Sequence, residues 1–430
     1  MARLLTNEGG SGLKPESMIS RRSLLGGAAA GAATFASVPT GASHGSTGQR
    51  TGAAAYEPYL LESSRPIDGL DTPALLIDLD TLEYNLARMA KHAENRGIKL
   101  RPHIKTHKCP ILAKKQIELG AIGICAAKVS EAEVMVEAGI DDVLITSPVA
   151  TREKVRRVIA LAQRTSGLQM VVDQARTAEE FNEAAAAAGV VLKVLIGLDT
   201  GTHRTGIALG EPALELAQVV ARCGSLQLDG LQAYAGHIQH VSGHDRRKTR
   251  SVESLTACLE TRSLLERAGF DIKAFTGGGT GTFDIDSEID GMTDLQVGSY
   301  LFMDVQYRAI GDSESEVFDL FRPSLFVLAT AISQPVPENI TIDAGYKSFA
   351  NVPDAKPEFR DVQGALYHYG GDEHGIIQFT DGQRPLQLGD KAELLVSHCD
   401  PTVNLYDFYH PYRNGQVAEL WPISARGKSQ

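Results

Sequence analysis

Residues 142–172, DVLITSPVATREKVRRVIALAQRTSGLQMVV, contain one complete unit of the fold. Asp142–Ile145 is a short apolar run of strand length, Arg152–Arg164 is amphipathic, and Gln169–Val172 is a second short apolar run. Two buried strands joined by a helix of that length make a parallel strand–helix–strand unit. The alternation extends in both directions. Strand candidates Ala74–Ile77, Ile98–Pro102, Gly123–Ala127, Leu192–Leu198, Leu228–Tyr234 and Ala274–Thr276 bring the number to eight, with amphipathic runs such as Glu83–Arg96 and Cys109–Leu119 between them. The count predicts an α/β fold, a (β/α)8 barrel of TIM type over residues 71–310.

The pattern changes after about Asp304. From Arg322 onward strand-like alternation dominates (SLFVLATAIS, ENITIDAG, HGIIQF, KAELLVS, QVAELWPIS), with turn signals at Asp381-Gly382, Gly389-Asp390 and Asn414-Gly415. A C-terminal β domain is therefore expected over residues 318–426. Tyr56–Leu70 has no place in the barrel and is expected to pack against that domain.

The chain has 430 residues, 43% hydrophobic and 22% charged, which is enough globular material for both domains. Its net charge of -11 argues against a nucleic-acid partner. Cys109, Cys125, Cys223, Cys258 and Cys399 are scattered and form no CxxC pair, so they read as buried thiols. Residues 1–55 stand outside the fold. Ser20-Arg21-Arg22-Ser23-Leu24-Leu25 followed by GGAAAGAATFASV has the form of a twin-arginine leader ending near Thr40-Gly41-Ala42. It predicts export of a folded protein to the periplasm, with a cytoplasmic location as the alternative if the leader is not functional. No other segment is apolar enough to span a membrane.

Chemistry concentrates just after the strand candidates, where barrel enzymes carry their active sites. Arg101-Pro102-His103-Ile104-Lys105-Thr106-His107-Lys108 surrounds one lysine with imidazoles and cations, which would lower its pKa and suit a Schiff-base nucleophile; a solvated basic strand end is the alternative. Thr276-Gly277-Gly278-Gly279-Thr280-Gly281, after the eighth strand candidate, lets backbone N–H groups converge on an anion, and Gly298-Ser299-Tyr300 can close the same cup. Arg204, between glycines in Gly201-Thr202-His203-Arg204-Thr205-Gly206, offers a fixed charge. Gln232-Ala233-Tyr234-Ala235-Gly236-His237-Ile238-Gln239-His240 offers an aromatic face, and either histidine can serve as a general base. In Ser397-His398-Cys399-Asp400, read as extended chain, His398 and Asp400 point the same way and can share an ion while Cys399 faces elsewhere.

Taken in order, RPHIKTHK, TGTHRTG, LQAYAGHIQH, TGGGTG, LQVGSY, DEHG and SHCDPTVNLYD resemble the D-threonine aldolase, 3-hydroxy-D-aspartate aldolase and D-serine dehydratase family of fold-type III pyridoxal-phosphate enzymes, which share the alanine-racemase fold. The resemblance implies pyridoxal 5'-phosphate bound through Lys105, with Gly278, Gly279, Thr280, Gly298, Ser299 and Tyr300 at its phosphate. It likewise implies Arg204 at the phenolic oxygen, Tyr234 beside the ring, and His240 near the substrate's β-hydroxyl. His398 and Asp400 correspond to the ligands of a divalent metal, Mn²⁺ or Mg²⁺ ahead of Zn²⁺.

The implied reaction is retro-aldol cleavage of a D-β-hydroxy amino acid, of the D-threonine or 3-hydroxy-D-aspartate type, to glycine and an aldehyde. A D-serine or 3-hydroxyaspartate dehydratase is the alternative, and a non-catalytic cofactor-binding barrel the second. Asp400, where dehydratases tend to have cysteine, favours the aldolase. Ala235 stands where D-threonine aldolases often carry histidine, and Ala235-Gly236-His237 resembles the dehydratases. The resemblance also implies a homodimer, in which Asp343–Lys347 and Asp372–Gly375 are candidates to reach a partner's site.

Overall fold

The computed structural model describes residues 55–362, 364–380 and 386–430. The twin-arginine leader up to residue 54 and the Asp381-Gly382 turn lie outside these residues. Two sheets organise the chain.

The barrel strands are β3 (Lys99–Leu100), β4 (Ile124–Ala126), β5 (Val143–Ile145), β6 (Gln169–Val172), β7 (Leu192–Gly197), β8 (Leu226–Ala233), β9 (Ala274–Gly277) and β10 (Asp294–Leu295), preceded in the chain by β1 (Tyr59–Pro66) and β2 (Ala74–Asp78). All barrel neighbours pair in parallel, and a bridge between His103 and Cys125 joins β3 to β4 and closes the ring. Period-2 alternation divides the side chains. Cys125, Leu144, Val171 and Leu195 fill the barrel interior, while Ile124, Val143, Met170 and Val194 pack under the helices.

The helices are α1 (Leu79–Arg96), α2 (Pro110–Glu118), α3 (Val129–Glu137), α4 (Arg152–Ala162), α5 (Ala175–Ala188), α6 (Glu211–Arg222), α7 (His244–Arg267), α8 (Phe283–Asp286), α9 (Val305–Arg308) and α10 (Cys399–Val403). α1 begins at an Asp78 cap, whose carboxylate accepts the Thr81 N–H, and ends at Gly97 in the left-handed region (φ 66°). No described helix is long and apolar enough to cross a membrane.

The strand count of eight holds, but its membership differs from the sequence reading. Ala74–Asp78 is not the first barrel strand. It lies in the second sheet, antiparallel to β11 (Leu325–Val336) and parallel to β17 (Phe408–Arg413). The eighth barrel strand is instead β10, two residues long, so the glycine run follows the seventh strand. An apolar run buried on both faces looks the same in either sheet, which is why ALLID misleads.

The second sheet also contains β12 (Asn339–Ile342), β13 (Glu358–Phe359), β14 (Ala365–Tyr369), β15 (Gly375–Phe379), β16 (Lys391–Leu395) and β18 (Gln416–Pro422). Its main path runs β1-β18-β17-β2-β11-β12-β15-β14, with β16 also on β11 and β13 on β16. Tyr59–Pro66 is thus an edge strand on β18. Asn414 (φ 50°) and Gly415 (φ 68°) turn the β17–β18 hairpin, as an Asn-Gly pair with both φ positive does. One hydrophobic core runs from α1 and β10 into this sheet, so β2, α1 and the barrel end form a continuous seam at which the site is assembled.

Candidate active site

Lys105 sits in the turn after β3, and its Nζ forms an ion pair with Asp400, on the first turn of α10. This contact spans 295 residues and joins the barrel to the β domain. Burial opposes charge on Lys105, but the Asp400 carboxylate outweighs it and raises the pKa; Asp400 in turn is pulled below the usual carboxylate range by Lys105 and His398 against its own burial.

The expectation that basic neighbours depress Lys105 does not hold. Each neighbour is neutral or already paired. Arg101 is buried against Asp142 and Asp294, and Lys108 pairs with the buried Glu131. Burial pushes His107 down to about 4 and His103 well below its ordinary value. His103 Nδ1 accepts the Lys105 backbone N–H (3.3 Å), which leaves Nε2–H to donate to Thr146 Oγ1 (3.1 Å). The imidazole braces the lysine turn without charging it.

Lys105, Arg204, Tyr234, Gly279, Thr280, Gly298 and Ser299 line one cleft of about 490 Å³, together with His103, Gln232, Gln296 and Tyr307. Asp199 shapes the arginine loop by accepting the Gly201 and His203 N–H groups (both 3.0 Å), and the Arg204 guanidinium lies 5.9 Å from the Tyr234 ring centre. The glycine run is dictated by space. A Cβ on Gly279 would meet Gln239 Oε1 at 2.5 Å, and one on Gly281 the Gln239 carbonyl oxygen at 2.0 Å. Gln239 is buried and accepts the Gly281 N–H (3.0 Å), so among the described residues the N–H groups of Gly279 and Thr280 stay free for a ligand.

Two cup residues act from behind. Gly278 (φ 68°) lies over the buried Asp286 and Leu295, outside the lining. Tyr300 gives its N–H to Thr280 Oγ1 (2.9 Å), accepts from Gln116 with its hydroxyl (3.0 Å) and packs its ring in the core against Phe321. It holds the cup together from outside the lining.

His398 and Asp400 are not placed by strand alternation: Asp400 pairs with the cleft-lining Lys105, and His398 stands two residues earlier at the cap of α10. The chain at 398 is extended (φ -148°, ψ 131°) but turns helical at Cys399, so His398 caps α10 and Asp400 lies in its first turn. Cys399 is buried, and burial drives its thiol well above the ordinary pKa. His398 Nδ1 hydrogen-bonds Asp304 Oδ2 (2.9 Å). Burial disfavours a charged imidazole there, but Asp304 more than compensates and raises the His398 pKa. His240 lies 4.3 Å from the ring centre of the cleft-lining Tyr307 and 6.1 Å from that of His398. Its pKa falls to about 4, through desolvation first, with Asp304 opposing and His398 assisting, so it is neutral and able to accept a proton. His237 and His240 are both exposed in part to solvent, and it is His240 whose ring packs on the cleft-lining Tyr307.

Asp304 and Tyr307 were not identified from the sequence. Asp304 precedes a short apolar stretch and reads as an ordinary helix cap, which it also is: its Oδ1 accepts the Tyr307 N–H (2.8 Å). Asp343–Lys347 and Asp372–Gly375 lie together in the β domain, where Lys347 pairs with Glu373 at the surface and Tyr346 stacks on Tyr369 at 4.3 Å. A larger groove, about 780 Å³, runs between α1 and α7, but its charges are mutually paired (Arg96 and Lys248 with Glu288, His244 with Asp284). The smaller cleft carries the chemistry. An amine, a glycine cup with free N–H groups and a guanidinium beside an aromatic ring form the donor set of a phosphorylated aldehyde cofactor, and an imidazole plus the carboxylate paired with that amine suit a divalent cation.

The alanine racemase N-terminal domain family matches residues 77–306, and the putative serine dehydratase domain family matches residues 324–412. The chain is similar to a D-threonine aldolase of an Arthrobacter species, 38% identical over 365 residues that cover 85% of this chain and 95% of that protein. It is also similar to a 3-hydroxy-D-aspartate aldolase of Paracoccus denitrificans (strain Pd 1222), 35% identical over 362 residues, covering 84% and 93%. Its structure superposes on that of a D-threonine aldolase from Filomicrobium marinum with a TM-score of 0.81 at 37% identity, covering 87% of this chain and 99% of the other.

Proposed function

Because the chain belongs to the pyridoxal-phosphate family of alanine-racemase fold that contains the D-threonine and 3-hydroxy-D-aspartate aldolases, we propose that it is a lyase that cleaves the Cα–Cβ bond of D-β-hydroxy amino acids to glycine and an aldehyde. The observation that carries this reading is the Lys105–Asp400 ion pair, which brings the cleft-lining lysine and a metal-type carboxylate into contact.

Pyridoxal phosphate, when bound, supplies the electron-withdrawing ring that accepts the pair released at Cα. The residues of the chain do the rest. Lys105, once it gives up the proton that Asp400 stabilises, would offer its amine to the cofactor's aldehyde, and the Gly279 and Thr280 amides, with Gly298 and Ser299, would receive the phosphate. Arg204 keeps a charge that lysine could lose, beside Tyr234. His240, neutral and packed on the cleft-lining Tyr307, takes the β-hydroxyl proton, the step that commits the Cα–Cβ bond to break. His398 and Asp400 would hold a divalent cation. An imidazole–carboxylate pair without thiolate favours Mn²⁺ or Mg²⁺ over Zn²⁺ and leaves coordination positions for substrate oxygen.

A homodimer and twin-arginine export belong to the same proposal, the first supported by the family resemblance and the second by the leader motif. The test of the reaction is His240→Ala, which is expected to keep the cofactor's absorbance and lose glycine release from D-threonine. Full turnover in that variant would remove His240 from the proposal.

A further inference from the structure

We propose that the one-turn helix α9 sets both imidazoles of the site, and that Asp304 at its cap is the positioning residue that makes His398 a metal ligand. The inference rests on the metal reading above and adds residues that no motif marked.

Asp304 is fully buried, and its carboxylate is turned toward α10 and the first turn of α9. Its Oδ2 accepts from His398 Nδ1 (2.9 Å) and from the Cys399 N–H (3.0 Å), while Oδ1 accepts from the Tyr307 N–H (2.8 Å). A carboxylate cannot donate, so His398 must carry its proton on Nδ1. The lone pair of the neutral ring is then on Nε2, on the side away from Asp304. That tautomer is the one a metal requires, and a carboxylate behind a ligating imidazole also raises its basicity.

Asp304, His398 and Cys399 present donor atoms within 4.8 Å of one another and could be taken for a three-ligand site. The bonding argues otherwise. Oδ2 is occupied by two N–H donors, and Cys399 is fully buried in the hydrophobic core. Asp304 therefore stands behind the ligand and not beside it. Tyr307, three residues on, packs its buried ring against His240 at 4.3 Å. Metal ligand and base are thus set relative to each other by one turn of helix.

The test measures free Mn²⁺ by electron paramagnetic resonance during titration of the cofactor-loaded enzyme, in wild type, Asp304→Asn and His398→Ala. Asparagine caps a helix nearly as well as aspartate, so the fold is retained, while the negative charge behind His398 is lost. Mn²⁺ affinity is expected to fall roughly 10–100-fold in Asp304→Asn, with the cofactor's absorbance and the unfolding midpoint unchanged. Wild-type affinity in Asp304→Asn beside a weakened His398→Ala overturns the role of Asp304 alone. Wild-type affinity in both overturns the metal reading with it. A second measurement needs no variant: in ¹⁵N spectra of the Zn²⁺-loaded wild type, His398 is expected to be protonated on Nδ1, and a proton on Nε2 refutes the inference.

Discussion

Gly279→Ala isolates the phosphate cup from the rest of the site. The added Cβ would lie 2.5 Å from Gln239 Oε1 and 2.8 Å from its Cδ. Gln239 is 1% exposed and cannot swing into solvent. Its Oε1 accepts the Gly281 N–H (3.0 Å) and its Nε2 donates to Thr282 Oγ1 (2.9 Å), so relief of the clash disturbs the loop that presents the free amides. Overpacking of this kind costs about 1–3 kcal/mol, and a buried N–H left without a partner costs about 1–3 kcal/mol more. The total, roughly 2–6 kcal/mol, divides between stability and cup geometry. If half falls on the cup, about 1–3 kcal/mol, cofactor affinity drops by roughly 5- to 150-fold. Absorbance titration of the apoenzyme with pyridoxal phosphate, paired with urea unfolding, measures both shares. In a Gln239→Ala background the side chain that clashes is gone, so the same substitution is expected to do much less harm. An equal effect in both backgrounds, or no effect in either, would refute the steric argument.

Lys105→Ala is expected to abolish the absorbance band of lysine-bound cofactor; a retained band would sink the cofactor assignment. His398→Ala and Asp400→Ala are expected to keep that band but lose most activity, and full activity in both without added metal would remove the metal from the account. Cys399→Ala is expected to retain bound metal, since its buried thiol is not a ligand; metal loss there would put Cys399 in the coordination shell. Asp286 tests the site's foundations through pH. Burial raises its pKa from 3.8 to about 7, against hydrogen bonds from Ser251 and Thr282, so the native state holds a proton that the unfolded state has released between these values. The Asp286 contribution to stability therefore falls as pH rises from about 4 to 7, opposite in sign to that of His107 and His240, and Asp286→Asn is expected to make stability rise more steeply with pH over that window in urea melts at stepped pH. An unchanged slope would show that Asp286 titrates normally.

Much of this was legible in the residues. The helical periods, the rim glycines and the Asn414-Gly415 hairpin express local rules, so a sequence window suffices to find them. What the sequence hid is non-local. β10 has only two residues, Asp294 and Leu295, too few to show a pattern, and β2 has the all-apolar look of a barrel strand although it pairs with β11 and β17. The charge state of Lys105 is set by Asp400, which arrives from the other domain, and not by the basic octapeptide around it. Asp304 looks like a cap because it is one; its second task exists only once α10 is folded against α9.

The central claim is the reaction. Purified protein supplied with pyridoxal phosphate and Mn²⁺ and offered D-threonine, D-3-hydroxyaspartate and D-serine in turn should release glycine and an aldehyde from a β-hydroxy substrate. Ammonia and a keto acid in place of glycine would contradict the aldolase account and make the chain a dehydratase.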